Sequence, residues 1–237
     1  MFIASLVDPA AGFPGRPARP WPSPRHVQPS ETQAIAECFI SARTTGDSAL
    51  VALAYRELQA QTDQQFAALT DPRGPYRIAV VGTRVITPYS DAGELIASVR
   101  TSRTLEITTP DRVHPLLGGE AGGAYYRLRA VHDLIGHVAT GYGFDRDGEY
   151  SAWLVQRRGY SGLARWAAAT ELHGEVSVLW TTGQFAEHKA ALLDRRLLRV
   201  PAAGAVRLPI PSPARPRQHE EATQQKITRR SEGSHGR

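Results

Sequence analysis

Apolar residues recur at helical spacing along the first half of the chain. Ser30 and Gln33 form a capping-box pattern, which predicts a first helix from there to Gly46. A second apolar stripe, with a period of about 3.6 residues, reaches Leu69 before the breaker DPRGP at 71–75. The pattern therefore predicts two successive amphipathic helices.

The pattern changes after this breaker. The stretch 76–86 is rich in β-branched residues and predicts one or two short strands. A short helix capped by Ser90 is predicted as far as Arg100, and LEIT at 105–108 predicts a strand that pairs with the first. We expect this section to form a small β element beside the helices.

From residue 122 to about 200 the pattern is helical almost throughout. The predicted breaks lie at 141–143, at Gly159 or Ser161, and at 181–183. Asp147 is the predicted cap after the first break, and a last amphipathic helix is predicted over 184–198. The predicted fold class is mainly α with a small β element (α+β), with its helical core at 122–198.

The two ends of the chain have a different composition. Residues 1–29 hold seven of the 17 prolines, and residues 201–237 are polar and basic after a further proline-rich run. Such segments lack the apolar periodicity of a packed core and predict disordered arms. We therefore expect one globular domain over 30–200.

Charge is concentrated in these ends. The chain carries a net charge of +5. Residues 201–237 hold seven Lys/Arg against three Asp/Glu, and 1–28 hold three Arg against one Asp, which leaves 18 basic and 19 acidic residues between. A balanced core argues against nucleic acid as its partner, although the tails can make weak contacts of that kind.

Compartment and redox chemistry follow from what the chain lacks. The sequence has no run of about 18 apolar residues, so it predicts no membrane-spanning helix. The start, MFIASLVDPA, has no basic leader, and Cys38 is the only cysteine, which excludes an internal disulfide or a CxxC pair. We expect a cytoplasmic protein without a membrane partner; the pattern leaves its oligomeric state open.

The most informative stretch is HDLIGH, which places His132, Asp133 and His137 within an apolar helical pattern. Buried imidazoles and carboxylates are costly unless they are paired or bind a metal. On an α-helix the two histidines would lie about 140° apart, so they converge only on an ion that sits between them. Gly136 leaves room beside the second histidine.

A third ligand is expected from ATELHGEV, where Glu171 and Glu175 lie four residues apart and share a helix face. His173 points away from that face. Two histidines and one carboxylate suit Fe(II) and also catalytic zinc. The predicted metal ligands are therefore His132, His137 and Glu171. The predicted catalytic residues are Asp133 and Glu175, which would orient an imidazole or carry a proton.

HDLIGH resembles the HExxGH iron motif of the pterin-dependent aromatic amino acid hydroxylases. The resemblance implies Fe(II) at His132 and His137 with Glu171, or else Glu175, as the later glutamate; Asp133 stands where that family has Glu. A broader similarity, over AVHDLIGH, GEYSAW and TELHGE, links 124–180 to uncharacterised bacterial and phage-encoded proteins. It implies that residues 124–190 are one functional unit.

A second enzymatic interpretation starts from the adjacent His132-Asp133 pair. HD-domain phosphohydrolases bind metal through such a dyad, with an upstream histidine and a downstream aspartate. His114 and either Asp145 or Asp147 are the residues available for those roles. A Gly-rich loop at 118–123 can gate a site in either interpretation.

Two non-catalytic interpretations stay open. The same His, Asp and Glu side chains can form a buried hydrogen-bonded network, and the proline- and arginine-rich tails can serve an interaction protein. Glu149, at a predicted helix start, is a minor ligand candidate. The favoured prediction is a metal-dependent enzyme, an oxidoreductase rather than a hydrolase, that uses Fe(II), or else Zn(II) or Mn(II), on a small molecule.

Overall fold

The computed structural model describes residues 22–44, 48–109 and 113–198. The predictions made for 1–21 and 201–237 fall outside these residues. The helices are α1 (Pro29–Ser41), α2 (Ala49–Thr70), α3 (Ala92–Ser102), α4 (Ala124–His132), α5 (Arg146–Gln156), α6 (Gly162–Ala169), α7 (Glu175–Thr182) and α8 (Arg195–Leu198). The strands are β1 (Ala79–Thr83) and β2 (Thr104–Thr108). The predicted fold class, mainly α with a small β element, is confirmed.

The two strands pair in parallel, with Ala79 opposite Thr104 and Thr83 opposite Thr108. Helix α3 forms the connection between them, as a parallel pair requires. The N-cap of this helix is Asp91, one residue after the predicted Ser90. Its side chain accepts a hydrogen bond from the backbone N–H of Glu94, and the Glu94 side chain accepts one from Ser90 N–H in return.

Two apolar clusters hold the fold together, and α4 contributes to both. Tyr125 and Leu128 face a cluster shared with α1, α2 and α5 to α7. Ala130 and Val131 face a second cluster, which packs against α3 and the sheet. Because both flanks of α4 are buried, its position and rotation are tightly constrained.

Two π-helical segments interrupt the α-helical ladder. The first π turn (Asp133–Val138) continues α4, and the second π turn (Thr170–Gly174) joins α6 to α7. The first π turn contains residues of the HDLIGH motif, and the second contains residues of the TELHGE motif. Single π turns within helices are frequent at functional sites.

The predicted last helix over 184–198 is wrong for most of its length. Only Arg195–Leu198 is helical, and residues 185–194 lie across the domain without regular structure. Their backbone groups bond to side chains instead: the Thr170 hydroxyl donates to the carbonyl of Ala191, Trp166 Nε1–H donates to the carbonyl of Leu193, and Ala191 N–H donates to the Tyr55 hydroxyl.

Part of the predicted N-terminal arm lies against the domain. The carbonyl of Pro22 accepts a hydrogen bond from the Tyr142 hydroxyl at 3.0 Å, and Arg25 N–H donates to Ser151 Oγ at 2.6 Å. Val27 is 2% exposed. Within the described residues, no helix combines the length and the apolar character needed to cross a membrane.

Candidate metal centre

The first π turn brings His132 and His137 together. The N–H of Ala139 bonds to the carbonyl of Leu134, five residues earlier, at 2.9 Å. In a π turn, side chains five residues apart lie on the same face of the helix, one turn apart. In an α-helix they would be separated by about 140° around the axis. The two Nε2 atoms are 3.1 Å apart, and the rings are nearly perpendicular at 87°.

Glu149, from α5, completes a group of three ligand atoms. Its Oε2 lies 3.2 Å from His132 Nε2 and 3.5 Å from His137 Nε2. One ligand atom from each residue lies within 4.8 Å of the others, so this group could hold a metal ion. We call His132, His137 and Glu149 the His–His–Glu centre.

Each imidazole is held in place by a hydrogen bond from its Nδ1, the ring nitrogen that does not face the other histidine. His137 Nδ1–H donates to the carbonyl of Tyr142 at 3.0 Å, and His132 Nδ1–H donates to Gln156 Oε1 at 2.8 Å. This tautomer leaves a lone pair on each Nε2, pointing at the other ring and at Glu149. Two lone pairs 3.1 Å apart require either a proton or a metal ion between them. Metal-binding histidines are commonly oriented in this way.

Electrostatics at the His–His–Glu centre favour a cation. Burial acts to raise the pKa of the Glu149 carboxyl, but when protons and not a metal ion lie between the three side chains, the charge of His137 and hydrogen bonds from both histidines hold that pKa well below its usual range. Burial acts to lower the pKa of His137, yet the Glu149 carboxylate raises it overall. Burial raises the pKa of Asp133, against the opposing charge of His132.

Close packing between the first π turn and α5 sets these distances. A Cβ on Gly136 would lie 3.0 Å from the Cβ of Ala152, and a Cβ on Gly148 would lie 2.2 Å from the carbonyl oxygen of Gly143. Glycine at position 136 lets α5 approach the first π turn, so that Glu149 reaches the histidines, and glycine at position 148 lets the loop before α5 pack against its first turn. Phe144 stands edge-on to His137, with ring centroids 4.8 Å apart, and forms an apolar wall.

The start of α5 is fixed by Asp145, not by Asp147 as predicted. The Asp145 side chain accepts hydrogen bonds from the N–H groups of Asp147 and Gly148 at 3.0 and 2.9 Å. Asp147 instead bonds to the N-terminal segment, through His26 Nδ1 at 2.9 Å and Val27 N–H at 3.1 Å.

The predicted third ligand, Glu171, lies in a different group. Its Oε1 accepts hydrogen bonds from the Tyr55 hydroxyl and from His114 Nε2–H, the latter at 3.3 Å. The second π turn points Glu171 toward α2 and the segment 185–194, because the Thr170 hydroxyl donates to the carbonyl of Ala191 and Ala191 N–H donates to the Tyr55 hydroxyl. The carboxylate that groups with His132 and His137 is therefore Glu149 and not Glu171.

Glu175, predicted to be catalytic beside HDLIGH, lies near Glu171. Its Oε1 lies 2.9 Å from His188 Nδ1, and its Oε2 accepts from the Tyr125 hydroxyl at 3.3 Å. Burial, and then the neighbouring Glu171 charge, raise the pKa of Glu175, although a bond to His188 opposes them. Tyr125 precedes His132 by seven residues on α4, which corresponds to about 10 Å along the axis.

We name this second group the two-glutamate cluster. Its members are Tyr55, His114, Tyr125, Glu171, Glu175 and His188. No role was predicted for His188, and His114 was considered only for the phosphohydrolase interpretation. His173 lies apart from the cluster, as predicted, with its ring 5.2 Å from Tyr150.

The ligand set of the HD phosphohydrolase interpretation is not brought together. His114 Nδ1 accepts bonds from the N–H groups of Leu116 and Leu117, and its Nε2 meets Glu171. Asp145 and Asp147 are engaged in the cap of α5 and in the N-terminal contact described above. None of these three side chains contributes to the His–His–Glu centre.

Sequence reasoning undervalued Glu149 and missed Gln156. Both contact His132, and they lie seven residues apart on α5, two turns along the same face. That spacing was a usable signal, because Tyr150, Trp153 and Val155 are buried on the same short helix. A pair of polar residues two turns apart on a helix rich in buried apolar residues points to a common partner.

The predicted gating loop lines an open cleft of about 420 Å³. The other lining residues are Gln59, Leu116, Leu117, Ala124 and Arg127. Leu117 N–H also bonds to His114, so the cleft borders the two-glutamate cluster.

Comparisons of the chain with known protein families, with curated proteins and with solved structures gave no match.

Proposed function

We propose that this protein is a metal-dependent enzyme with a mononuclear Fe(II) centre at His132, His137 and Glu149, acting as an oxygenase on a small molecule. One observation carries the proposal: two Nε2 lone pairs and one carboxylate oxygen converge, while both Nδ1 atoms are tied to oxygen acceptors. Two histidines and one carboxylate, with coordination positions left open, are typical of non-haem Fe(II) oxygenases.

Each residue near the centre has a role in this proposal. His132, His137 and Glu149 bind the ion, and Gln156 and the Tyr142 carbonyl keep the imidazoles in the ligand tautomer. Bound Fe(II) would supply one-electron and O₂ chemistry. Asp133 is partly buried beside the ligands, and its raised pKa suits a group that holds or releases a proton.

The test is metal binding by the full-length protein under anaerobic conditions. We expect His137→Ala and Glu149→Gln each to lose one equivalent of Fe(II), whereas Glu187→Gln, an exposed carboxylate elsewhere on the surface, keeps the wild-type content. Loss of an equivalent in neither variant would refute the centre.

A second measurement addresses the oxygenase assignment. Nitric oxide added to the Fe(II)-loaded protein should give a high-spin iron–nitrosyl EPR signal, because three protein ligands leave positions open. The signal should disappear in Glu149→Gln. Tight binding of Zn(II) in preference to Fe(II), with no nitrosyl signal, would instead indicate a hydrolytic zinc centre.

A further inference from the structure

Helix α4 leaves few of its side chains in contact with solvent. Six of its nine residues are buried, and the other three, Arg127, Arg129 and His132, are half-buried. Around the helix axis, Arg129 lies about 60° from His132 and about 160° from Arg127. Arg129 and His132 therefore share one face of α4, three residues apart, with their Cβ atoms about 5–6 Å from each other.

The two arginines of α4 differ in their partners. Arg127 Nε–H donates to Asp63 Oδ1 at 2.7 Å, and its Nη1 donates to the carbonyl of Gly122. The Arg129 guanidinium forms no ion pair and no hydrogen bond within the described part of the chain, not even with Asp133 four residues later. A half-buried guanidinium loses hydration from its five N–H donors. Arg129 is thus available to an anionic partner.

The charge of Arg129 acts on the groups that precede and follow it on this face. Burial raises the pKa of Asp133, and the charges of His132 and then Arg129 oppose it. Burial, and then the charge of Glu175, raise the pKa of Tyr125, and the charge of Arg129 opposes them. Tyr125 and Asp133 lie four residues before and after Arg129, so the guanidinium stays near the face that holds His132.

The His–His–Glu centre meets solvent beside His132 and Glu149. The side chains of His132 and Glu149 are 12% and 15% exposed, whereas that of His137 is 1% exposed. A molecule that reaches the centre therefore approaches past His132, and Arg129 is its neighbour on α4. A divalent ion with one carboxylate ligand keeps a net positive charge, so the centre and Arg129 both attract an anion.

We propose that Arg129 anchors the substrate of the metal centre, and that this substrate is a small organic acid whose carboxylate pairs with the guanidinium. The inference rests on the proposed function, because it places the rest of the substrate at the bound ion. Arginine suits this role, since its planar fork can hold a carboxylate through two parallel hydrogen bonds. Arg129 acts in binding only, and no covalent bond to it forms or breaks.

Dicarboxylates from malonate to adipate are the probes. Calorimetric titration uses full-length protein, loaded with Fe(II) under anaerobic conditions. We expect the diacid that binds the wild type most tightly to bind Arg129→Gln about 10–100-fold more weakly. Arg129→Lys should keep part of the affinity, because it keeps the charge but loses the fork. Arg56→Gln removes an arginine from the exposed face of α2 and should bind as the wild type does.

Fe(II) content separates this inference from the proposed function. Arg129→Gln should still take up one equivalent, because Arg129 is not a ligand. Normal Fe(II) uptake with equal diacid affinity in the wild type and Arg129→Gln, or with no diacid bound by the wild type, would overturn the anchor and leave the centre intact. Diacid binding that depends on Arg129 in a protein that takes up no Fe(II) would support the anchor and refute the centre. If Arg129→Gln fails to fold, Arg129→Met, which keeps an apolar stem, replaces it.

Discussion

At Gly136 the backbone of the first π turn approaches α5 so closely that a methyl group would fit only if its neighbours moved by a few tenths of an ångström. A Cβ would lie 3.0 Å from the Cβ of Ala152 and 3.4 Å from His132 Nδ1. We expect Gly136→Ala to lower the free energy of unfolding by about 1–3 kcal/mol. Metal binding should weaken as well, because moving α5 away separates Glu149 from His132.

Denaturant unfolding and Fe(II) titration of this variant check both effects. The sign is informative, because Gly→Ala within a helix ordinarily stabilises by about 0.5–1 kcal/mol. A more stable Gly136→Ala protein with unchanged metal affinity would show that the close approach to α5 is not needed.

His173 makes stability depend on pH. Burial in the second π turn, with a smaller contribution from the charge of Arg157, lowers the pKa of His173 to about 4. In the unfolded chain a histidine titrates near 6.5, so between pH 6.5 and 4 only the unfolded state takes up this proton. The free energy of unfolding should therefore fall by about 2–3 kcal/mol as the pH falls through that window. Above that window His173 should not contribute to the pH dependence.

Unfolding free energies at pH 7.5 and 4.5 measure this contribution. His173→Gln removes the titrating group and should reduce the difference between the two pH values by the stated amount, whatever its effect at pH 7.5. Equal pH dependence in the two proteins would mean that His173 is already protonated, or solvated, in the folded state.

At the scale of elements, the N-cap of α5 connects stability to the metal centre. Asp145→Ala removes the hydrogen bonds to Asp147 and Gly148 N–H, and we expect a loss of about 1 kcal/mol. Since Glu149 lies in the first turn, fraying there should also weaken metal binding several-fold.

The matched control is Asp91→Ala, which removes the equivalent cap from α3. It should cost similar stability and leave metal affinity unchanged, because α3 carries no ligand. Equal effects of the two variants on metal binding would show that affinity follows global stability, and not the position of Glu149.

The two π turns explain which part of the centre could be predicted. HDLIGH indicated the two histidines, but α-helical geometry placed them about 140° apart. A π turn accommodates one extra residue, and what keeps it here is packing of Leu134, Ile135 and Val138 against α3 and the sheet. Those contacts are long-range, so periodicity along the chain could not reveal them.

The helix that was predicted over 184–198 is absent from residues 185–194 for a related reason. Its apolar residues do fit a helical stripe, and Ala190, Ala191 and Leu193 are indeed buried. Trp166 of α6 and the Thr170 hydroxyl donate to its carbonyl groups, and Lys189 Nζ donates to the carbonyls of Phe39, Ile40 and Ala42 at the end of α1. These tertiary bonds replace the helical ones.

At the scale of the whole molecule, the folded unit begins before α1. Val27 is buried, and Pro22, Arg25 and His26 bond to Tyr142, Ser151 and Asp147. We expect a protein lacking 1–28 to be less stable than one lacking 1–21 by about 1–3 kcal/mol. Chemical denaturation of the two truncated proteins measures this difference.

This boundary also changes how the tails should be tested. An interaction role for the tails is tested by removing 1–21 and 205–237, because removing residues 22–28 also removes contacts to α5. If the two N-terminal truncations are equally stable, the segment 22–28 contributes nothing to the fold, and the longer deletion becomes the simpler test.

The sequence alone determined the helical class, the small parallel sheet's two strands and the histidine pair, because amphipathic periodicity and turn residues are local properties of the chain. Only the tertiary structure decided which carboxylate meets the histidines. Glu149, Glu171 and Glu175 are alike as residues, and all three lie on helices near glycine. Packing of α5 against Gly136 brought Glu149 to His132, whereas bonds from Tyr55 and His114 hold Glu171 elsewhere. A ligand set is a matter of contacts between distant segments, and those depend on the assembled core.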